Sequence, residues 1–135
     1  MARYLAIIDE ADGRFGVIFP DAPGCAAMGK TQEEAIDNAI EALAEWAADE
    51  VADGRVVRKP RTYLQVLKSG EFSQLGKGGM VATLPLLTES GKLARANLSM
   101  DAGLLAAIDE AATARGLTRS SFLASAARDK LKASF

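Results

Sequence analysis

Short apolar runs separated by turn residues predict a β-rich first half of the chain. Residues 4–8 and 15–19 are apolar, and residues 9–14 between them have turn chemistry around an Asp-Gly pair. Two such runs about this turn predict a β-hairpin. Pro20 to Gly24 then breaks the second strand, because each proline removes a backbone donor. Residues 25–30 are compatible with a third short strand.

The pattern changes to a helical period after Lys30. Thr31 is a predicted N-cap, with Glu34 three residues later completing a capping box. Apolar and acidic residues then fall largely on different faces, and Gly54 is the predicted stop. The apolar set recurs at three- and four-residue steps and comprises Ala35, Ile36, Ala39, Ile40, Leu43 and Ala47. This pattern predicts an amphipathic helix with one face on a sheet and the other in water.

The stretch from residue 55 to residue 79 has a weaker pattern. Residues 62–67 fit a strand or a short helix, and Gly70, Gly76, Gly78 and Gly79 predict a loop. A further strand is expected over 80–87, where Pro85 argues for an edge position or an early end. The order strand–strand–strand–helix–strand predicts an α+β fold, with a sheet and one packed helix.

The last forty residues have a different character. Residues 92–99 alternate, with Ala94, Ala96 and Leu98 on one side and polar residues on the other, which predicts a half-buried strand. Helices are expected from about Met100 to Arg115 and from Thr118 onward, separated by Gly116. Their apolar residues are Leu104, Leu105, Ile108, Ala111 and Ala112 in the first helix and Phe122, Leu123, Ala126, Ala127 and Leu131 in the second. The predicted organisation is a first domain over residues 1–88, a linker over 89–92 and a second domain over 93–135.

A strand and two helices cannot bury enough apolar surface to be stable alone, and the strand lacks a pairing partner within the tail. A two-fold dimer solves both problems, because two strands pair as an antiparallel ribbon above a shared helical core. Arg95, Asn97 and Ser99 would project from the ribbon, which fits the DNA major groove and can contact bases there. Thr118, Arg119, Ser120 and Ser121, at the start of the second helix, would contact phosphates. A helical dimerisation arm without a DNA role is the alternative.

The charge distribution and the composition exclude several classes of function. Residues 1–89 carry 9 Lys/Arg and 14 Asp/Glu, a net charge of −5, whereas residues 90–135 carry 7 and 4, a net charge of +3. The basic tail is therefore the part suited to phosphates. The 135 residues include no histidine, which excludes imidazole catalysis. They include one cysteine, Cys25, which excludes a zinc site with several thiolate ligands. We expect a cytosolic binding protein, with no enzyme activity, cofactor, metal or membrane association.

Two segments of the sequence resemble known protein families. Residues 93–132 resemble a ribbon-helix-helix DNA-binding domain of the Arc/MetJ/CopG type, through the alternating strand, the Gly116 break and the Thr118-Arg119-Ser120-Ser121 opening. The segment Phe19-Pro20-Asp21-Ala22-Pro23-Gly24-Cys25, followed by Gly29-Lys30-Thr31 and Glu34-Ala35, resembles the HicB antitoxin family. That family implies a partial ribonuclease-H-like module that neutralises a HicA-like mRNA-cleaving toxin. It also implies repression of the shared operon. Two dimers on adjacent half-sites of a palindromic operator would form a tetramer.

An acidic module suits a basic RNA-binding partner, because opposite charges steer association. The candidate toxin contacts are Glu33, Glu34, Asp37, Glu41, Glu45 and Trp46, with a solvated helix face and core packing of Trp46 as the alternatives. Asp9, Glu10, Asp12 and Asp21 are interpreted as turn residues rather than a two-metal site. Cys25 is interpreted as a small buried residue. The basic residues Arg55, Arg58, Lys59 and Arg61 are interpreted as a solvated linker, with phosphate contact as the alternative. Two rival functions remain: a stand-alone repressor with a ligand-sensing front module, and a hydrolase on a ribonuclease-H-like sheet.

Overall fold

A computed structural model describes residues 1–72 and 79–133 of the chain. It divides into two compact units, Met1–Thr88 and Glu89–Ser134, which we name the front unit and the tail unit. Gly76 and Gly78 of the predicted loop lie outside the described residues, as do Ser134 and Phe135 at the end of the predicted second domain.

The front unit begins with the predicted hairpin. Strand β1 covers Arg3–Ala11 and strand β2 covers Arg14–Ile18, and Ala11 is opposite Arg14. Asp12 and Gly13 form the two-residue turn with φ values of 54° and 73°, the left-handed pair that a hairpin turn of this length requires. The hairpin is confirmed.

The interpretation of Asp9 and Glu10 as turn residues was wrong. Both lie within β1, opposite Gly16 and Phe15 of β2, and both are exposed. The two-residue turn is so tight that the strand ladder extends almost to its tip. Asp9 and Glu10 are therefore exposed side chains near the end of β1.

Strands β3 (Ala26–Gly29) and β4 (Met80–Pro85) complete a four-stranded antiparallel sheet in the order β3-β2-β1-β4. Strand β4 lies at the sheet edge and ends at Pro85, as the proline predicts, because a residue without an N–H cannot continue an interior ladder. The strand is two residues shorter than expected. Beyond it, one further backbone bond joins the Leu86 N–H to the Ala2 carbonyl at 2.9 Å.

Helix α1 covers Gln32–Ala52 and follows the predicted pattern. Its buried residues are Ala35, Ala39, Ile40, Leu43 and Ala47, and the first four of these pack with one face of the sheet. The Thr31 hydroxyl accepts a hydrogen bond from the Glu34 N–H at 3.1 Å, and Gly54 follows the helix at φ 76°. Among the described contacts only this half of the expected capping box forms, since Glu34 stays exposed and does not return a bond to Thr31.

Residues 62–67, where the sequence allowed a strand or a helix, belong to helix α2, Tyr63–Ser69. The complete capping box of the front unit is here, between Thr62 and Gln65. Val66 packs against Leu5 and Ile7 of β1. Neighbouring residues of a strand point to opposite faces of the sheet. Helix α2 therefore covers the face opposite α1, and the expectation of a single packed helix was incomplete.

The tail unit contains helix α3, Ala102–Ala114, and helix α4, Arg119–Ala133. Asp101 caps the start of α3, and Gly116 ends it at φ 67°, as expected. Residues 92–99 adopt no regular secondary structure in the single chain, and all are exposed. The predicted half-buried strand is absent from the isolated chain, because a strand requires a neighbouring ladder for its backbone groups.

Candidate protein-binding and DNA-binding surfaces

Helix α1 presents a continuous acidic surface to solvent. Glu33, Asp37, Glu41 and Glu45 follow one another at four-residue steps with Glu34 beside the first, and all five side chains are exposed. At ~1.5 Å per residue these positions span roughly 18 Å. The helix holds seven acidic residues and no Lys or Arg. We name this surface the acidic ridge. Because like charges four residues apart on a helix repel, the ridge by itself destabilises the helix.

Trp46 lies off the acidic ridge. Its indole Nε1 donates a hydrogen bond to the Pro23 carbonyl at 3.1 Å, and its ring stands edge-on to Tyr4, with centroids 6.5 Å apart. The side chain is half-buried and packs against the main core cluster. Five of the six candidate toxin contacts therefore share one surface, and Trp46 instead anchors the turn that precedes β3.

The Pro-Asp-Ala-Pro-Gly-Cys turn is built around Asp21 and Cys25. Backbone bonds join Ala22 to Phe19 and Cys25 to Ala22, and Gly24 adopts φ 84°. Cys25 is buried, as expected, and burial raises the pKa of its thiol, with a smaller contribution from Glu45. A thiol in this state is a packing group.

Arg61 clamps this turn to the end of α2. Its backbone N–H and Nε donate to the Asp21 carboxylate at 2.7 and 2.8 Å, and its two terminal nitrogens donate to Glu71 at 3.0 and 3.2 Å. The hydrogen bonds from Arg61 lower the pKa of Glu71. The interpretations of Arg61 as solvated linker and of Asp21 as a simple turn residue were therefore incomplete. The two residues are forty positions apart, so no local sequence pattern reveals the pair.

The predicted base-contacting residues Arg95, Asn97 and Ser99 are exposed, and their side chains form no hydrogen bond with the described part of the chain. Ala94, Ala96 and Leu98, the other phase of the alternation, are equally exposed. In the single chain, both sets of alternating residues are therefore exposed. The two sets would lie on different faces only if this segment paired with another strand.

At the start of α4, three of the four predicted phosphate contacts already have partners. The Thr118 hydroxyl accepts from the Ser121 N–H at 3.1 Å and donates to the Ser121 hydroxyl at 3.0 Å. Arg119 forms a two-point ion pair with Asp109, at 2.8 and 2.7 Å, and its hydrogen bonds lower the pKa of Asp109. Ser120 remains exposed. Sequence reasoning missed Asp109, ten residues upstream on another helix.

Much of the apolar surface of the tail unit is uncovered. Among its described residues only Ile108 and Ala112 are buried apolar side chains, and α4 buries none. Five leucines are exposed: Leu93, Leu98, Leu104, Leu117 and Leu131. An isolated helix pair with this distribution lacks a core of its own.

The described residues contain neither a cluster of metal ligands nor a membrane-spanning helix. No group of three or more Cys, Asp or Glu side chains there is arranged to hold a metal ion. None of the helices in the same part of the chain has the length and apolar character to cross a membrane.

Solved structures resemble the whole chain and the front unit. The crystal structure of the Burkholderia pseudomallei antitoxin HicB is 29% identical, covers 97% of this chain and 99% of its own, and gives a TM-score of 0.57. The crystal structure of antitoxin HicB3 is 30% identical over 96% of this chain and 97% of its own, with a TM-score of 0.52. The N-terminal domain of the Burkholderia pseudomallei protein, 25% identical, covers 62% of this chain and 95% of its own at a TM-score of 0.52.

A search among curated proteins finds no match. The family model described as "HicB-like antitoxin of bacterial toxin-antitoxin system" matches residues 4–127, a span that includes both units. Together with the antiparallel sheet and four helices, this match shows that the chain belongs to the HicB-like antitoxin family.

Proposed function

We propose that this protein is an antitoxin with two binding activities. The front unit, a partial ribonuclease-H-like module, binds and neutralises a HicA-like mRNA-cleaving toxin. The tail, from residue 93 to residue 135, forms a ribbon-helix-helix dimer that represses its own operon on operator DNA. Both activities are binding equilibria and need no catalytic residue. The observation that carries the toxin-binding half is the acidic ridge in a chain of this family.

The acidic ridge matches the chemistry of the proposed partner. A toxin that cleaves mRNA must attract phosphates, and therefore presents a basic surface. An acidic helix about 18 Å long can lie against such a surface, raise the rate of encounter and exclude RNA from it. The mutual repulsion within the ridge is relieved when cations of the partner lie beside it. Neutralisation then follows from occlusion.

Reversing charge on the ridge is expected to disrupt toxin neutralisation. The variant Asp37→Lys/Glu41→Lys should weaken toxin capture at least about tenfold, because each substitution replaces an attraction with a repulsion. The measurement is inhibition of RNA cleavage by the toxin encoded beside this gene, titrated at two salt concentrations. The loss should shrink at high salt, where charges are screened.

The matched control is Asp9→Lys/Glu10→Lys, which makes the same charge change at two exposed positions of β1. It should inhibit the toxin as the unchanged protein does. Equal inhibition by the ridge variant, or equal impairment of both variants, would contradict the ridge as the toxin contact.

The tail half of the proposal rests on its uncovered apolar surface and its net positive charge. Two copies pair residues 92–99 as an antiparallel ribbon, which buries Ala94, Ala96 and Leu98 over the helices. Arg95, Asn97 and Ser99 then face the major groove. At the start of α4, the side chains of Thr118, Ser120 and Ser121 contact DNA phosphates. Arg119 also contacts a phosphate while it keeps its ion pair with Asp109. Two dimers on adjacent half-sites would form a tetramer.

Asn97→Ala is expected to weaken operator binding by about 1–3 kcal/mol, because Asn reads adenine through two hydrogen bonds. The loss should vary with the base pair at one operator position in a gel-shift titration. Ser120→Ala, at a phosphate contact, should weaken all operator sequences alike. Unchanged affinity for Asn97→Ala, or a loss that ignores base sequence, would contradict base contact by Asn97.

A further inference from the structure

The front unit contains a cleft of about 390 Å³ that the acidic ridge does not use. The turn at Pro20, Asp21 and Pro23 forms one wall, Trp46 and Glu50 of α1 form another, and residues 56–61 with Glu71 close it. Its volume lies in the range of small-molecule or side-chain binding pockets. The walls are fixed in place by the Arg61 clamp and by the bond from Trp46 to Pro23.

Each carboxylate of the cleft already has an arginine as its ion-pair partner. Arg61 holds Asp21 and Glu71, and Arg55 holds Glu50 at 2.8 Å. Arg58 and Lys59, by contrast, have no ion pair within residues 1–72 and 79–133, and the sequence 73–78 contains no acidic residue. The two unpaired charges that line the cleft are therefore both positive.

The position of these two cations is set by the fold. The Tyr4 hydroxyl donates a 2.7 Å hydrogen bond to the Arg58 carbonyl, which fixes the backbone of this segment beside the buried Tyr4 ring. Close by lie the half-buried Trp46 and the side chain of Val56, which is 85% exposed. Apolar surface and unpaired cations thus line one cavity.

We propose that this cleft binds an acidic peptide segment of a protein partner. One side-chain carboxylate of the segment pairs with Arg58 and Lys59. A neighbouring aromatic or apolar side chain packs against Trp46, Val56 and the two prolines. The cleft is therefore a second binding site of the front unit. It binds a negatively charged segment, whereas the acidic ridge binds a positively charged surface.

The charge balance favours a peptide over a nucleic acid. Asp21, Glu50, Asp53 and Glu71 match Arg55, Arg58, Lys59 and Arg61 one for one around the described cleft. The surrounding residues 1–89 carry a net charge of −5. Such surroundings repel a chain of phosphates, whereas a single carboxylate needs only the two adjacent cations.

Trp46 is the only tryptophan of the chain, so its fluorescence reports occupation of the cleft directly. The probe is the peptide acetyl-Asp-Phe-Glu-amide, titrated into the purified full-length protein. We expect a saturable change in Trp46 fluorescence, at least about tenfold weaker for the neutral peptide acetyl-Asn-Phe-Gln-amide. The variant Arg58→Gln/Lys59→Gln should lose at least about tenfold in affinity for the acidic peptide. Arg14→Gln, at an exposed hairpin position, should not.

No saturable change up to ~10 mM acidic peptide would overturn the proposal. Equal affinity of the Arg58→Gln/Lys59→Gln variant for that peptide would also overturn it. Tighter binding of adenosine monophosphate or oligouridine than of the peptide would identify a nucleotide site instead. None of these outcomes affects the toxin-inhibition assay, because the substitutions of that assay lie on the ridge and those of this one lie in the cleft.

Discussion

Substituting Leu98 by aspartate is expected to dissociate the protein into single chains and to abolish operator binding. Leu98 is 66% exposed in the single chain, so the substitution removes no buried contact within one copy. In the proposed dimer the side chain is buried, and burying a leucine contributes about 1.5–3 kcal/mol. Two-fold symmetry doubles the loss, and a buried charge adds to it. A total above about 3 kcal/mol weakens dimerisation more than a hundredfold.

Leu93→Asp is the matched control for this prediction. Leu93 is fully exposed and belongs to the phase of the alternation that carries Arg95, Asn97 and Ser99. It should therefore leave the dimer intact when both variants are compared by sedimentation equilibrium. If Leu98→Asp sediments as the unchanged protein does, or if the two variants dissociate equally, the assignment of faces along residues 92–99 is wrong.

Replacing Gly29 by alanine is expected to destabilise the front unit by at least ~2 kcal/mol, because overpacking a rigid junction is costly. A Cβ atom at Gly29 would lie 2.4 Å from the Ala35 nitrogen, 2.8 Å from its Cα and 2.9 Å from the Glu34 carbonyl carbon. All three are backbone atoms of the first turn of α1. The added methyl group can be accommodated only if β3 and the helix separate.

Gly16→Ala tests whether the effect is specific to that junction. Gly16 lies on β2 opposite Met28, and a Cβ there meets no atom of the described residues within 4 Å. Urea unfolding followed by Trp46 fluorescence reports on the front unit, since the tail has no tryptophan. A free energy of unfolding for Gly29→Ala within ~0.5 kcal/mol of the unchanged protein would contradict the close contact.

Local patterns predicted the elements whose determinants lie close together in sequence. The Asp12-Gly13 turn, the Thr31 cap and the Gly54 stop each depend on residues within a few positions, and each is confirmed. Pro85 likewise predicted the edge position of β4, because proline lacks the N–H that an interior strand uses to pair with its neighbour.

Contacts between distant residues could not be predicted in this way. Asp21 and Arg61 are forty residues apart, and Asp109 reaches Arg119 from another helix. The sequence of residues 62–67 fits both a strand and a helix, because a seven-residue helix has too few turns to display a period. The burial of Val66 depends on Leu5 and Ile7 of β1. The cleft is also of this kind, since the ion pair between Arg61 and Asp21 joins two of its walls from separate segments.

Residues 92–99 are expected to form a strand only when a second copy supplies its neighbour. Hydrogen exchange of the backbone amides of residues 94–98, measured on the full-length protein over a range of concentrations, tests this claim. We predict slow exchange at micromolar concentration that becomes faster on dilution, as the ribbon separates into single chains. Exchange as fast as in an unstructured peptide at every concentration would contradict the claim, and with it the proposed repressor.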